Sequence, residues 1–141
     1  MKTYVTIVLV SLTAALLYFT VAAADGGAPA DTQKKPYRIE ITTEKNAGPG
    51  GKLSIAFGID SGYHLDKDSP MKVSLTAPAG VTFADNPLSW AQATGYDEFK
   101  GVTLKTTYTG NGGNAEAKIM FAVCTKESCH LKRETLTFAV K

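Results

Sequence analysis

Ala117-Lys-Ile-Met-Phe-Ala-Val-Cys124-Thr-Lys-Glu-Ser-Cys129 is the stretch on which the reading of this chain turns. Ala117, Ile119, Phe121 and Val123 recur at every second position, the period of a strand that buries one face. A second alternation, Leu136, Phe138 and Val140, follows the second cysteine. The four residues between Cys124 and Cys129 are therefore the natural turn of a hairpin. Residues facing each other at the base of a hairpin have Cα atoms about 4.5–5.5 Å apart, a separation that a disulfide accepts.

The same alternation extends outward to the rest of the chain. Tyr37, Ile39 and Ile41 face one way against Arg38, Glu40 and Thr42. Leu53, Ile55, Phe57 and Ile59 repeat the pattern, as do Met71, Val73 and Leu75, and Val102 with Leu104. Between these runs stand turn-forming segments: Asn46-Ala-Gly-Pro-Gly-Gly51, Ala77-Pro-Ala-Gly80 and Gly110-Asn-Gly-Gly-Asn114. No stretch after the first 36 residues has helical period. Some seven short strands predict an all-β protein, an immunoglobulin-like antiparallel β-sandwich over residues 37–141. Asp85–Gly101 stands apart as an aromatic-bearing loop with Trp90, Tyr96 and Phe99, positioned for function or, in the case of Trp90, for the core.

The N-terminus has a different composition. Lys2 precedes an uncharged apolar run from Tyr4 to Val21, then Ala22-Ala-Ala24 and Asp25. This is the build of a secretory signal peptide over residues 1–24, cleaved after Ala24; an uncleaved membrane anchor is the alternative. Residues 25–36 lack apolar periodicity and are expected to be a flexible linker. Removing residues 1–24 leaves 117 residues, with 14 Lys+Arg once Lys2 is gone against 13 Asp+Glu. The charges are scattered, so no nucleic-acid partner is expected, and the mature form has no further segment able to span a membrane. A periplasmic or otherwise secreted location follows, a compartment in which disulfides persist. The oligomeric state is left open.

Stability alone is a weak reason for the cysteine pair. Closing so short a loop is worth about 2 kcal/mol in the chain-entropy model, and a hairpin turn already supplies part of that restriction. Lys126, His130, Lys132 and Arg133 surround the cysteines in sequence, with Glu127 and Glu134 opposing them. Cations favour the thiolate, the attacking species in thiol–disulfide exchange. Spacing alone leaves a redox role and an inert staple both open.

Gly95-Tyr-Asp-Glu-Phe-Lys-Gly101, followed some 25 residues later by the cysteine hairpin, resembles the N-terminal periplasmic domain of the thiol:disulfide interchange protein DsbD. The segment Gly62-Tyr63-His64-Leu65 is similar to that family's Gly-Tyr strand end beside the cysteines. The resemblance covers residues 37–141 and implies an immunoglobulin-like domain with a redox-active pair, Cys124 and Cys129. It implies that Asp97, Glu98 and Phe99 form a cap loop whose Phe shields the cysteines. Tyr63, His64, Asp66 and His130 are the implied or local neighbours of the site. It further implies thioredoxin-fold periplasmic partners, with Cys129 attacking, Cys124 resolving and no cofactor. The chain departs from the family in having four residues rather than five between the cysteines. His64 and Asp66 also stand where tyrosines are expected, and the family's membrane-spanning and thioredoxin-like parts are missing.

Two other functions compete. A copper-binding module would use Cys124, Cys129 and His130, joined by His64, Met71 or Met120, since soft sulfur and imidazole suit Cu(I). Zinc is not expected, because four ligands at finger spacing are absent. A structural immunoglobulin-like module with an inert disulfide is the third reading. No hydrolase triad or phosphate-binding loop is present.

Overall fold

Six of the eight strands among the described residues form where alternation and turn residues place them, and two arise where the sequence shows neither. A computed structural model of the protein describes residues 34–141; the expected signal segment and the linker up to residue 33 lie outside the described residues. In chain order the strands are β1 (Tyr37–Lys45), β2 (Gly51–Ile59), β3 (Lys72–Thr76), β4 (Thr82–Phe83), β5 (Ala93–Asp97), β6 (Gly101–Thr109), β7 (Asn114–Cys124) and β8 (Cys129–Ala139). One sheet runs β1-β2-β6-β4, with β5 also paired to β6, and the other runs β3-β7-β8. Every pairing is antiparallel. Assigning β1, β2, β3, β4, β6, β7 and β8 to strands A to G gives sheets ABED and CFG, the constant-type immunoglobulin order, with β5 as an addition.

The two sheets meet through the inward residues of the alternating runs. Leu53, Ile55 and Phe57 from β2, Leu104 from β6, and Ile119, Phe121 and Val123 from β7 are buried at the centre. Each large apolar side chain buried this way stabilises the fold by about 1.5–3 kcal/mol. Antibody domains cross-link strands B and F with a disulfide. Here the ring of Phe121 meets Phe57 of strand B at 5.1 Å and Tyr37 of strand A at 4.9 Å, both edge-on. The cysteines are therefore free for another position.

Both edges of the smaller sheet are protected. Against β3, Leu88 exchanges two backbone hydrogen bonds with Val73, and the Asn86 side chain pairs with both backbone groups of Leu75. On β8, the register sets Lys132 opposite Phe121 and Glu134 opposite Ile119, so both charged residues point to the core side of an edge strand. Inward charges on an edge discourage pairing with another chain. Glu134 is satisfied there by the Tyr37 hydroxyl and by Lys35 Nζ at 2.6 Å, both of which donate to its carboxylate. These hydrogen bonds hold the Glu134 carboxyl below its ordinary range, while burial, followed by the bond to Glu134, pushes the Tyr37 phenol up.

The stretch 85–101 is not the irregular loop that its composition predicts. A single 3-10 turn, Trp90–Gln92, is capped by Ser89 and leads directly into β5. Strand β5 escapes sequence reading because Ala-Thr-Gly-Tyr-Asp does not alternate. Its register shifts between Thr94 and Asp97, and Gly95 has φ +63°. Strand β4 is only two residues long and leaves no period to detect.

Two outcomes follow from this packing. Gly101 opens β6 at φ +130°, where an added Cβ would lie 1.7 Å from the Phe57 carbonyl oxygen. Gly101→Ala is expected to lower stability in urea unfolding by more than about 2 kcal/mol. Gly95→Ala, with nothing within 4 Å of the added Cβ, should cost only about 1 kcal/mol for the positive φ. The second outcome concerns pH. A carboxyl depressed in the fold adds stability above its unfolded pKa and loses it as pH falls through the folded value. Acid unfolding should therefore be shallower in Glu134→Gln than in the wild type, with the difference confined to the pH range below about 4.5.

Candidate functional site

Cys124 and Cys129 form a disulfide, with Cα atoms 3.9 Å apart. Its position follows from strand parity. Phe121 and Val123 face the core, so Cys124, one residue on, faces outward on the CFG sheet. Cys124 exchanges both backbone hydrogen bonds, each 2.9 Å, with His64, which lies alongside β7 beyond the start of β3. Its N–H and C=O thus point away from β8. The pair with Cys129 is accordingly the non-hydrogen-bonded, closely spaced kind.

The connecting turn, Thr125–Ser128, is closed by the Thr125 N–H donating to the Ser128 carbonyl at 2.8 Å. The Thr125 hydroxyl oxygen accepts the N–H groups of Glu127 and Ser128. Cys124 is completely buried, whereas Cys129 is exposed. The two residues of one disulfide therefore differ sharply in exposure.

Three connections converge on this end of the sandwich: the B–C segment after β2, the β5–β6 turn and the β7–β8 hairpin. Directly opposed residues share a face, so His64, Cys124 and Cys129 form a row across three adjacent backbones. Asp66 follows two residues later, and its carboxylate and both sulfurs all lie within 4.8 Å of one another. Tyr63 and Leu65 turn the other way. Leu65 is fully buried and Tyr63 packs partly against the core, so Tyr63 does not share the face of the disulfide.

Aromatic braces hold the B–C segment. The Tyr96 hydroxyl donates to the Leu65 carbonyl at 2.8 Å, and the Trp90 indole donates to the Ser69 carbonyl at 2.8 Å. The two rings meet edge-on at 5.4 Å. Burial pushes the Tyr96 phenol above its ordinary value, with Glu98 and the nearby aspartates adding to the effect. Trp90 and Tyr96 thus act by positioning rather than by chemistry.

Asp97 ends β5, and Glu98 and Phe99 lie in the turn that leads to β6. The Asp97 carboxylate accepts the N–H groups of Phe99 and Lys100 at 3.1 Å each. The Phe99 amide, followed by the charge of Lys100, holds the Asp97 carboxyl below its ordinary range. The Glu98 carbonyl accepts the Leu65 N–H at 2.9 Å, and its carboxylate lies 3.9 Å from His64 Nε2. Phe99 reaches across to His64, with ring centroids 5.9 Å apart, and remains 64% exposed. The turn is therefore docked beside the disulfide through His64 and Leu65.

The structure separates residues that adjacency in sequence had grouped. His130 pairs with Val123 and so lies on the opposite face of β8 from Cys129; it is exposed and bonded to Ser128 Oγ at 3.0 Å. Lys132 shares that inward parity. Of the basic residues flanking the pair, Arg133 shares the face of Cys129. The local copper set Cys124, Cys129 and His130 is thus broken by parity, and Met71 is buried in the core. Leu131, by contrast, lies on the cysteine face and is 43% exposed. It was legible by counting two residues from Cys129.

No family model matches the chain, and no curated protein matches it. Among solved structures, the chain is similar to the GAE domain of yeast GGA1 at 16% identity. That match covers 75% of this chain and 93% of the other, with a TM-score of 0.48. It is also similar to the GAE domain of GGA2p from Saccharomyces cerevisiae at 12% identity, over 75% and 92% of the two chains, with a TM-score of 0.47.

The Asp97 turn gives a direct test of how the cap is held. In Asp97→Ala the Phe99 and Lys100 amides lose their side-chain acceptor. Their hydrogen exchange should accelerate roughly tenfold, with the amides of Ile55 and Phe121 unaffected.

Proposed function

We propose that this domain is a thiol–disulfide exchange module of an oxidising, extracytoplasmic compartment, working with thioredoxin-fold proteins as its resemblance to the DsbD N-terminal domain implies. The observation that carries the reading is the unequal exposure of one disulfide, with Cys129 open to solvent and Cys124 fully buried. In the oxidised form, a partner thiolate attacks the Cys129 sulfur. The Cys124–Cys129 bond breaks, a partner–Cys129 bond forms, and Cys124 leaves as a thiolate that takes up a proton. The partner's second thiolate then attacks its own sulfur in the mixed disulfide and releases Cys129. Two electrons and two protons have moved from partner to domain. The reverse sequence delivers them, with Cys129 as attacker and Cys124 as resolver.

The surroundings of the disulfide support docking of a protein. Phe99 and Leu131 are the exposed large hydrophobic residues among the described ones, and they belong to the cap turn and the cysteine hairpin. An inert staple between strands needs neither unequal exposure nor an apolar rim.

In the full chain carrying Cys124→Ser, Cys129 is expected to retain a thioredoxin-fold protein from periplasmic extract as a mixed disulfide. With the disulfide reduced in the wild type, iodoacetamide should modify Cys129 at least about tenfold faster than Cys124. Failure of both Cys124→Ser and Cys129→Ser to trap any adduct, with unfolding midpoints unchanged, would leave the inert disulfide as the function of the pair.

A further inference from the structure

Asp66 is the residue that neither the hairpin nor the cap turn requires at the disulfide. It reaches the site from the B–C segment, where Oδ1 accepts the Asp68 N–H at 2.9 Å. One of its carboxylate oxygens lies within 4.8 Å of both sulfurs. Among the described residues, Asp66, Cys124 and Cys129 are the one group of three ligand-type side chains whose donor atoms lie within 4.8 Å of one another.

While the disulfide is closed, the sulfurs are poor ligands. Reduction changes the chemistry. A dithiol or phosphine supplies two electrons, two protons are taken up, and the single S–S bond becomes two thiols on directly opposed residues. Binding of a divalent ion then displaces those two protons and forms two metal–thiolate bonds. The three donors become two thiolates and one carboxylate around a common point.

We infer that reduction converts the disulfide into a binding site for a borderline-soft divalent cation, Zn²⁺, held by Cys124, Cys129 and Asp66. Thiolate and carboxylate bond lengths to zinc are about 2.3 and 2.0–2.2 Å. Tetrahedral ligands of these types therefore stand roughly 3.5–3.8 Å apart. The two sulfurs, bonded in the closed disulfide, separate to that distance once reduced, and a carboxylate oxygen of Asp66 already lies within 4.8 Å of both. The Cα separation of 3.9 Å keeps both sulfurs on one ion and prevents each from serving a different one. Three chain ligands leave a fourth position open to water. The carboxylate selects zinc over Cu(I), for which hard oxygen is a poor ligand.

Sequence spacing hides this site, because Asp66 lies on a different segment from the hairpin. The inference does not depend on the exchange reading; it requires only that the pair be reduced. Bound metal would consume both thiols, so metal and partner disulfide would compete for the same reduced form.

The test uses the full chain, with Zn²⁺ as ligand and Co²⁺ as spectroscopic reporter. Phosphine-reduced protein is expected to bind one Zn²⁺ in competition with a chromophoric chelator, and the oxidised protein none. Co²⁺ should give thiolate-to-metal charge-transfer absorption in the reduced protein. Asp66→Asn is expected to weaken Zn²⁺ binding by at least about tenfold, and Cys124→Ser or Cys129→Ser by more. Equal affinity in Asp66→Asn and wild type, or equal binding by the oxidised and reduced proteins, would overturn the proposal. The comparison of oxidised and reduced wild-type protein decides the proposal even where Asp66→Asn lowers the unfolding midpoint. Mixed-disulfide trapping in excess chelator reports on exchange separately, so either function can fail while the other stands.

Discussion

The edge-on contact of Phe121 with Tyr37 and Phe57 determines more of this molecule than any other interaction. It places one residue of β7 between the sheets, and the two-residue period of a strand then assigns every other residue of β7 to a face. Val123 must point inward and Cys124 outward. Antiparallel pairing transmits that assignment to β8 and to the segment at His64, because directly opposed residues share a face. One core contact thereby decides that the disulfide lies on the outer face of the CFG sheet. The same parity sends His130 away from the cysteines and brings Leu131 toward them.

This arrangement also explains why the disulfide leaves the usual cross-link of an immunoglobulin domain empty. Strands B and F are held by aromatic packing, and the interior needs no covalent bond there. The cysteines sit instead where three connections meet. Each connection is tied down locally: the hairpin by Thr125, the cap turn by Asp97, and the B–C segment by Tyr96 and Trp90. The surroundings of the sulfurs are therefore set by backbone hydrogen bonds and by the short or ring-borne side-chain groups of Thr125, Asp97, Tyr96 and Trp90 rather than by long mobile side chains. That is the kind of support a site needs to hold groups at fixed separation.

Much of the fold was legible in the sequence because burial on one face enforces alternation. The runs at Tyr37, Leu53, Met71, Val102, Ala117 and Leu136 all became strands. Alternation fails where a strand is bulged, as at Thr94-Gly95, or too short to show a period, as at Thr82–Phe83. The disulfide itself was legible because its partners lie on one hairpin. The approach of Asp66 to the sulfurs depends on a tertiary path that no spacing encodes. His130 follows Cys129 directly in sequence yet lies on the other face of β8, because adjacent residues of a strand face opposite sides. The bracing role of Trp90 and Tyr96 required knowing which carbonyls the B–C segment leaves unpaired.

The entry of the chain into the domain has a further consequence. Pro36 accepts the Asp60 N–H at 2.9 Å, and Lys34 lies 3.5 Å from the Asp60 carboxylate. Residue 34 is therefore fastened beside the B–C segment, at the end that carries the disulfide. Lys141, whose carbonyl accepts the Tyr108 hydroxyl at 3.1 Å, sits at the opposite end. The domain thus has a polarity. Cargo fused after Lys141 projects away from the sulfurs, whereas anything rigid and bulky joined just before residue 34 stands beside them and narrows the directions from which a large molecule can approach.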